Sequence, residues 1–316
     1  MVFQSMIDVL NISIPFFALI FLGFIAHAIQ FIDAAGAKTM SKFAFYITLP
    51  PYMFLKVSAS EPTNILNWGF VWRYESSTIL IYLTAAFIAY AVFRLRRLES
   101  GIFGLNVAYP NYGYMGIPLA ILAFGDGAAL PMALILFADT IVLLALTACF
   151  VAGSDGGFAA TSKRIIITMF ANPLVLAVLA GLLFSASGLT LPKIPQQFGT
   201  LLAGAAAPVA LFALGATLFG QPVRAAAAEV TAVSFLKLIV HPLLVALFFL
   251  GIPGQDPLWI KVAILSSCLP VAANVFMLAN HYGAYSGRTA SAILVSTALA
   301  SITVPAFLYW LFYGQG

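Results

Sequence analysis

From residue 12 to residue 312 the sequence is an almost unbroken succession of apolar runs. Each is close to the roughly 20 residues that an α-helix needs to cross a hydrocarbon core about 30 Å thick. No other feature of the chain restricts its fold as strongly. A segment crossing lipid must satisfy every backbone N–H and C=O internally or in a closed barrel, and runs of this length do so as helices. Only 8% of the 316 residues are charged, against roughly 25% in a soluble domain, so a water-facing globular surface is excluded. The reading is an all-α integral membrane protein.

Dividing the runs at charges and Gly/Pro clusters predicts ten spans, near 12–32, 40–59, 68–93, 101–123, 129–152, 163–186, 197–219, 229–251, 258–280 and 289–312. An even number puts both termini on one side. With the N-terminus outside, Lys38, Lys42, Arg94, Arg96, Arg97, Lys163, Arg164, Arg224 and Arg288 fall in or beside inside loops. Lys56, Arg73, Lys193 and Lys261 fall outside, and Lys237 lies within a span. That bias predicts both termini outside, in a bacterial-type inner membrane. The net charge of +4 is thus spent on topology rather than gathered on one face, which sets nucleic acid aside as a partner. The opening residues MVFQSMIDVL carry no basic leader or cleavage pattern, so the first apolar run is expected to be retained. Cys149 and Cys268 lie inside apolar runs and read as small buried side chains. No metal or cofactor is expected.

The stretch GSDGGFAATS at 153–162 is read as a cytoplasmic linker, separating a first five-span half, 1–152, from a second, 163–316. Pro15 and Pro173 are 158 residues apart, Pro50 and Pro208 also 158, and Pro110 and Pro270 160. Around them LPPYMFL rhymes with APVALFAL, and AYPNYGYMGIPLA with CLPVAANVFMLA. Because each half has an odd number of spans, the second enters the membrane from the opposite side. This is the inverted-repeat layout of secondary transporters.

The fourth and ninth spans concentrate the helix breakers. An interior proline removes a hydrogen bond and displaces a carbonyl, at about 3 kcal/mol or more in a regular helix. Unwound backbone at membrane depth is tolerated only where protein or a polar cavity satisfies it. Two breaks in corresponding spans, at Pro110 and Pro270, therefore point to a substrate site. Half-helix N-termini favour an anion there. Asn111 and Asn274 supply neutral amides, and Ser267 a hydroxyl, that donate to a carboxylate without burying charge. Tyr112 and Tyr114 flank the first break and are candidate lining residues. The plainer alternative is that these prolines only kink packed helices and these tyrosines only pack them.

The run YPNYGYMGIPLA, with its PN-x3-MGIPL core, strongly resembles the fourth-helix motif of the auxin efflux carrier family. PFFALIFLGFI, FYITLPPYMFL, APVALFALGATL, CLPVAANVFMLANHYG and ILVSTALASITVP resemble looser blocks of that family, so the likeness covers nearly the whole chain. The resemblance implies a five-plus-five inverted repeat with scaffold helices 12–59 and 163–219 and a mobile, elevator-type transport domain of helices 68–152 and 229–312. It also implies crossed, broken fourth and ninth helices holding the substrate, onto which Pro110, Asn111 and Pro270 map, and a homodimer through the scaffold is a candidate assembly. The long loop of the longer plant carriers is missing. That points away from auxin and toward small carboxylates such as malonate.

Asp139, mid-span and with no other acid in any span centre, is read as a coupling residue that takes a proton or ligates sodium. Lys237 and His241 are spaced i, i+4 on one helical face. Lys237 then compensates an anion or pairs with Asp139. The structural alternative is a buried ion pair or a snorkelling lysine, with His241 a packing residue. A lone deep acid argues against an aspartyl intramembrane protease, and no HExxH, nucleophile elbow or phosphate-binding loop occurs. A channel or a substrate-sensing receptor on the same fold is the alternative to a carrier.

Overall fold

A computed structural model describes residues 2–60, 67–151, 167, 170–221 and 226–314. The 153–162 linker, with Lys163, Arg164 and Arg224, lies outside the described residues. Among those described the regular secondary structure is helical, apart from one isolated β-bridge. Helix occupies part or all of each predicted run. The long helices are α1 (Val2–Ala28), α4 (Trp68–Ala91), α7 (Ala129–Val151), α9 (Lys193–Leu218) and α14 (Ser286–Tyr313). Shorter ones are α2 (Ala34–Phe43), α3 (Leu49–Ser58), α5 (Arg97–Ala108), α6 (Ile117–Phe124) and α8 (Pro173–Ala186). The rest are α10 (Ala227–Phe235), α11 (His241–Leu250), α12 (Pro257–Ser267) and α13 (Ala273–His281). Among the described residues five helical stretches, at 6–28, 126–150, 193–218, 227–250 and 286–313, are each long and apolar enough to cross a membrane.

Helix starts follow the sequence closely. Asn172 and Asp256 each precede a proline at the first helical position, and their side chains accept from Leu174 N–H at 3.0 Å and Leu258 N–H at 2.7 Å. Prolines farther in leave another mark. Short π-helical segments at Ala44–Thr48, Tyr112–Gly116 and Leu236–Val240 run directly into α3, α6 and α11. Each of those helices has proline as its second residue, Pro50, Pro118 and Pro242. Proline cannot donate and its ring crowds the carbonyl four residues back, so a wider turn just before it re-registers the ladder. Leu49 and His241 accordingly bond five residues back, to Ala44 and Leu236.

The chain divides into two compact units. The first holds Met1–Asn67, Tyr112–Leu134 and Phe170–Gly220. In it α1 packs on α9 at a contact that only glycine permits, since a Cβ at Gly215 would overlap the Ile20 carbonyl. The α1 face carrying Val9, Phe16 and Ile20 is buried, while Ile14, Phe21 and Ile25 are exposed. A helix apolar on its buried and its exposed face alike is built for lipid.

The second unit holds Trp68–Asn111, Ile135–Met169 and Gln221–Gly316. Of the three proline correspondences, only Pro110 and Pro270 share a local structure, each interrupting a helix. Pro15 and Pro208 sit within α1 and α9, whereas Pro173 opens α8 and Pro50 follows a π turn.

Candidate functional site

In the second unit the two breaks meet. α5 ends at Ala108 and Tyr109 turns extended, with φ −91° and ψ 102°. α12 ends at Ser267, and the chain is extended again at Ala272, φ −68° and ψ 137°, before α13 begins. Pro110 and Val271 form an antiparallel bridge. Asn111 N–H donates to Pro270 O at 3.0 Å and Ala272 N–H to Tyr109 O at 3.1 Å. Each break thus supplies the partner the other has lost, the accounting a buried backbone requires. Val271 N–H donates to Ser296 Oγ of α14 at 3.1 Å, and that hydroxyl donates to Ile293 O at 3.3 Å. Sequence reading passed over Ser296 because nothing local links it to a break 25 residues away.

The predicted site residues divide between the units. Pro110, Asn111, Ser267, Pro270 and Asn274 lie in the second. Asn111 is 2% exposed and Asn274 half-buried beside the Tyr109 hydroxyl. The Ser267 hydroxyl donates to Ile264 O at 2.7 Å, on its own helix, so its proton is already placed. Tyr112 and Tyr114 belong to the first unit, where Tyr114 Oη donates to Ser41 O at 3.3 Å and its ring stacks on Phe45. Asn106, one turn before the first break, is a brace whose Nδ2 donates to Ile102 O at 2.8 Å and to Thr289 Oγ1 of α14 at 3.0 Å.

Asp139, Lys237 and His241 are all completely buried in the same unit. Asp139 has an acidic neighbour that the sequence reading did not single out. Glu75 of α4, 7% exposed, comes within hydrogen-bonding approach of it, with Thr78 of the same helix alongside. The neighbouring Arg73 makes Glu75 resemble the polar end of a span, but the Arg73 guanidinium turns to Pro253 O at 3.2 Å. The signal within reach was the i, i+3 spacing of Glu75 and Thr78, which sets both on one face. Lys237 lies within coulombic range of Asp139 without reaching ion-pair contact among the described residues, and its Nζ is 3.0 Å from His241 Nδ1. An ammonium donating there leaves the imidazole proton on Nε2. Tyr74 Oη donates to Ser266 Oγ at 3.3 Å at the edge of this cluster.

A second polar knot lies at the other end of α14. Tyr285, in a left-handed conformation at φ 63°, donates to Glu229 Oε2 of α10 at 2.6 Å. Arg288 stacks on the Tyr285 ring and approaches Glu229 at 3.4 Å and Glu99 of α5 at 3.8 Å. Burial, then the bond to Glu229, holds the Tyr285 phenol above its ordinary range, which keeps it a donor.

A multi-pass helical membrane protein with two interrupted helices paired at a buried bridge is the class these features define. A family model described as "Membrane transport protein" matches residues 8–308. The chain belongs to that family, the auxin efflux carrier family, and is a membrane transporter. It is 31% identical over 307 residues, 96% of each chain, to a Rhizobium meliloti (strain 1021) protein named "Putative malonate transporter". It is 26% identical over 300 residues, 91% of this chain and 93% of the other, to an "Uncharacterized transporter" of Methanothermobacter thermautotrophicus.

Proposed function

We propose that this protein carries a small organic anion, a dicarboxylate of the malonate type, through an elevator-type alternation of access, with the anion bound at the Pro110–Asn111 and Pro270–Asn274 crossing. The observation that carries this reading is the reciprocal pairing of the two breaks, Asn111 N–H to Pro270 O and Ala272 N–H to Tyr109 O. Pairing uses up the groups inside the crossing. The α13 N-terminus opens at the edge of the crossing and favours an anion there, with the Asn111 and Asn274 side chains lying beside it. A full carboxylate bound by neutral donors avoids the cost of a permanently buried counter-charge. The likeness to a relative whose name includes malonate supports the substrate class.

The reading includes ten spans arranged as two inverted five-span halves, 1–152 and 163–316, joined by the 153–162 linker on the cytoplasmic side. Helices 12–59 and 163–219 form the scaffold, through which a homodimer assembles, and 68–152 with 229–312 form the moving part. Both termini are outside the inner membrane. The test is uptake of radiolabelled malonate by proteoliposomes of the purified protein, with unlabelled carboxylates as competitors. Saturable, competable uptake is expected. Flux linear in concentration identifies a channel, and stable binding without flux a receptor. Absence of both binding and uptake for every small carboxylate tested refutes the proposal.

A further inference from the structure

The second unit buries two carboxyl groups against each other with too few donors to serve them. Neither oxygen of Asp139 nor of Glu75 has a hydrogen bond of regular geometry from a described residue, yet the two side chains approach at hydrogen-bonding range. Two ionised carboxylates are both acceptors only. Their mutual approach is a hydrogen bond when one of them carries a proton, and a repulsion otherwise. Among the described residues the basic side chain within coulombic range of Asp139 is Lys237, whose Nζ lies 3.0 Å from His241 Nδ1. With Lys237 charged and both acids ionised, the cluster is left one negative charge out of balance at almost no exposure. With one proton between them it is neutral, the condition under which buried charge persists.

The other polar groups facing Asp139 are the hydroxyls of Tyr74, Thr78 and Tyr109, and the Cys268 thiol lies near Tyr74 and Lys237. A metal cation fits poorly. It needs about six oxygen ligands and would hold the carboxyl groups apart, and here it would sit beside an ammonium. Asp139 also faces Tyr109, whose carbonyl accepts from Ala272 in the bridge between the two breaks. A charge that appears on Asp139 therefore appears next to the crossing.

We propose that Glu75 and Asp139 together bind one exchangeable proton, and that this proton is loaded along with the anion. Loss of the proton places a carboxylate charge beside the crossing and repels an anion there. Each ligand thus strengthens the other by the same factor. The coupling half rests on the carrier reading above, whereas the proton site stands without it.

The experiment separates the two. Infrared spectra of the purified protein at near-neutral pH, in H2O and D2O, should show a protonated-carboxyl C=O band that shifts on deuteration and disappears in Glu75→Gln. It should shift or disappear in Asp139→Asn. Absence of the band from the wild type, a measurement that needs no variant to fold, overturns the proton site. So does its persistence unchanged in both variants. Its loss on replacing KCl by NaCl identifies a metal-cation site and overturns it equally. Calorimetry with malonate above neutral pH, where malonate itself no longer titrates, then tests coupling. Affinity should fall several-fold as pH rises in the wild type and stay flat in Glu75→Gln. Binding that is flat in the wild type overturns coupling. Failure of malonate to bind at all counts against the anion reading, and the infrared band still decides the proton site.

Discussion

Ser296→Ala isolates what holds the crossing in shape. The Val271 N–H and the Ser296 side chain are fully buried, and the hydroxyl is the acceptor of that amide at 3.1 Å. Alanine fits the space but accepts nothing, so a buried N–H loses its partner. That costs about 1–3 kcal/mol, the desolvation of one unsatisfied amide. The donation to Ile293 O, at 3.3 Å, is long and adds little. Local opening of the break should therefore become about five- to 150-fold more frequent. Hydrogen exchange, read on a peptide covering 268–273, should speed up by that factor, while peptides from the first unit should not change. Ser296→Thr keeps the acceptor and should restore protection. If Ser296→Ala exchanges at the wild-type rate, the hydroxyl is not what satisfies Val271 and the accounting is wrong.

Asn111→Ala should weaken malonate binding about tenfold or more in calorimetry, from the roughly 1–3 kcal/mol of a hydrogen bond to a charged group. Unchanged affinity moves the anion elsewhere. Asn106→Ala should instead lower the unfolding midpoint with little effect on affinity, because it severs the brace to Thr289. Gly215→Ala should destabilise by at least about 1–3 kcal/mol, as α1 must be pushed off α9. Gly204→Ala, with open space at its Cβ, should be neutral or stabilising by up to about 1 kcal/mol. Equal thermal midpoints for those two variants would contradict the close approach. In a Cys149→Ser background, Arg96→Cys and Gly127→Cys should label from opposite sides of the membrane, and same-side labelling refutes the charge-derived topology.

What the sequence made legible depended on how local the physics was. The apolar runs and the breaks at Pro110 and Pro270 are set by residues a few positions apart and were read; the Asn172-Pro173 and Asp256-Pro257 starts are equally local but were not singled out, and the first lies well inside the run predicted from 163. Pro50 and Pro242 were visible, but their accommodation by a wide turn rather than a break was not, since that choice depends on packing around the helix. Glu75 was missed because polarity near the end of a span normally signals the interface, and only the fold shows that Arg73 turns away to Pro253 while Glu75 turns in. Ser296, Asn106 and the Glu229–Tyr285–Arg288 knot are likewise contacts between distant segments. A serine or asparagine in an apolar run gives no sign of which backbone it will serve.

These missed contacts share a physical logic. Apolar side chains drive helices together weakly in lipid, because the tails around them are as apolar as leucine, so polar contacts carry much of the specificity. In the second unit α14 is fixed near its start by Arg288 and Tyr285, one turn on by Thr289 holding Asn106, and farther along by Ser296 holding Val271. Three ties along one helix set its register against α5, α10 and the second break at once. Sliding α14 by one residue, 1.5 Å, would break all three and leave several buried polar groups unpaired, at about 1–3 kcal/mol each. The crossing is therefore held in one geometry. The cluster formed by Glu75, Asp139 and Lys237 lies in this same unit, so the proton proposed for it would exchange within a frame whose register these ties set.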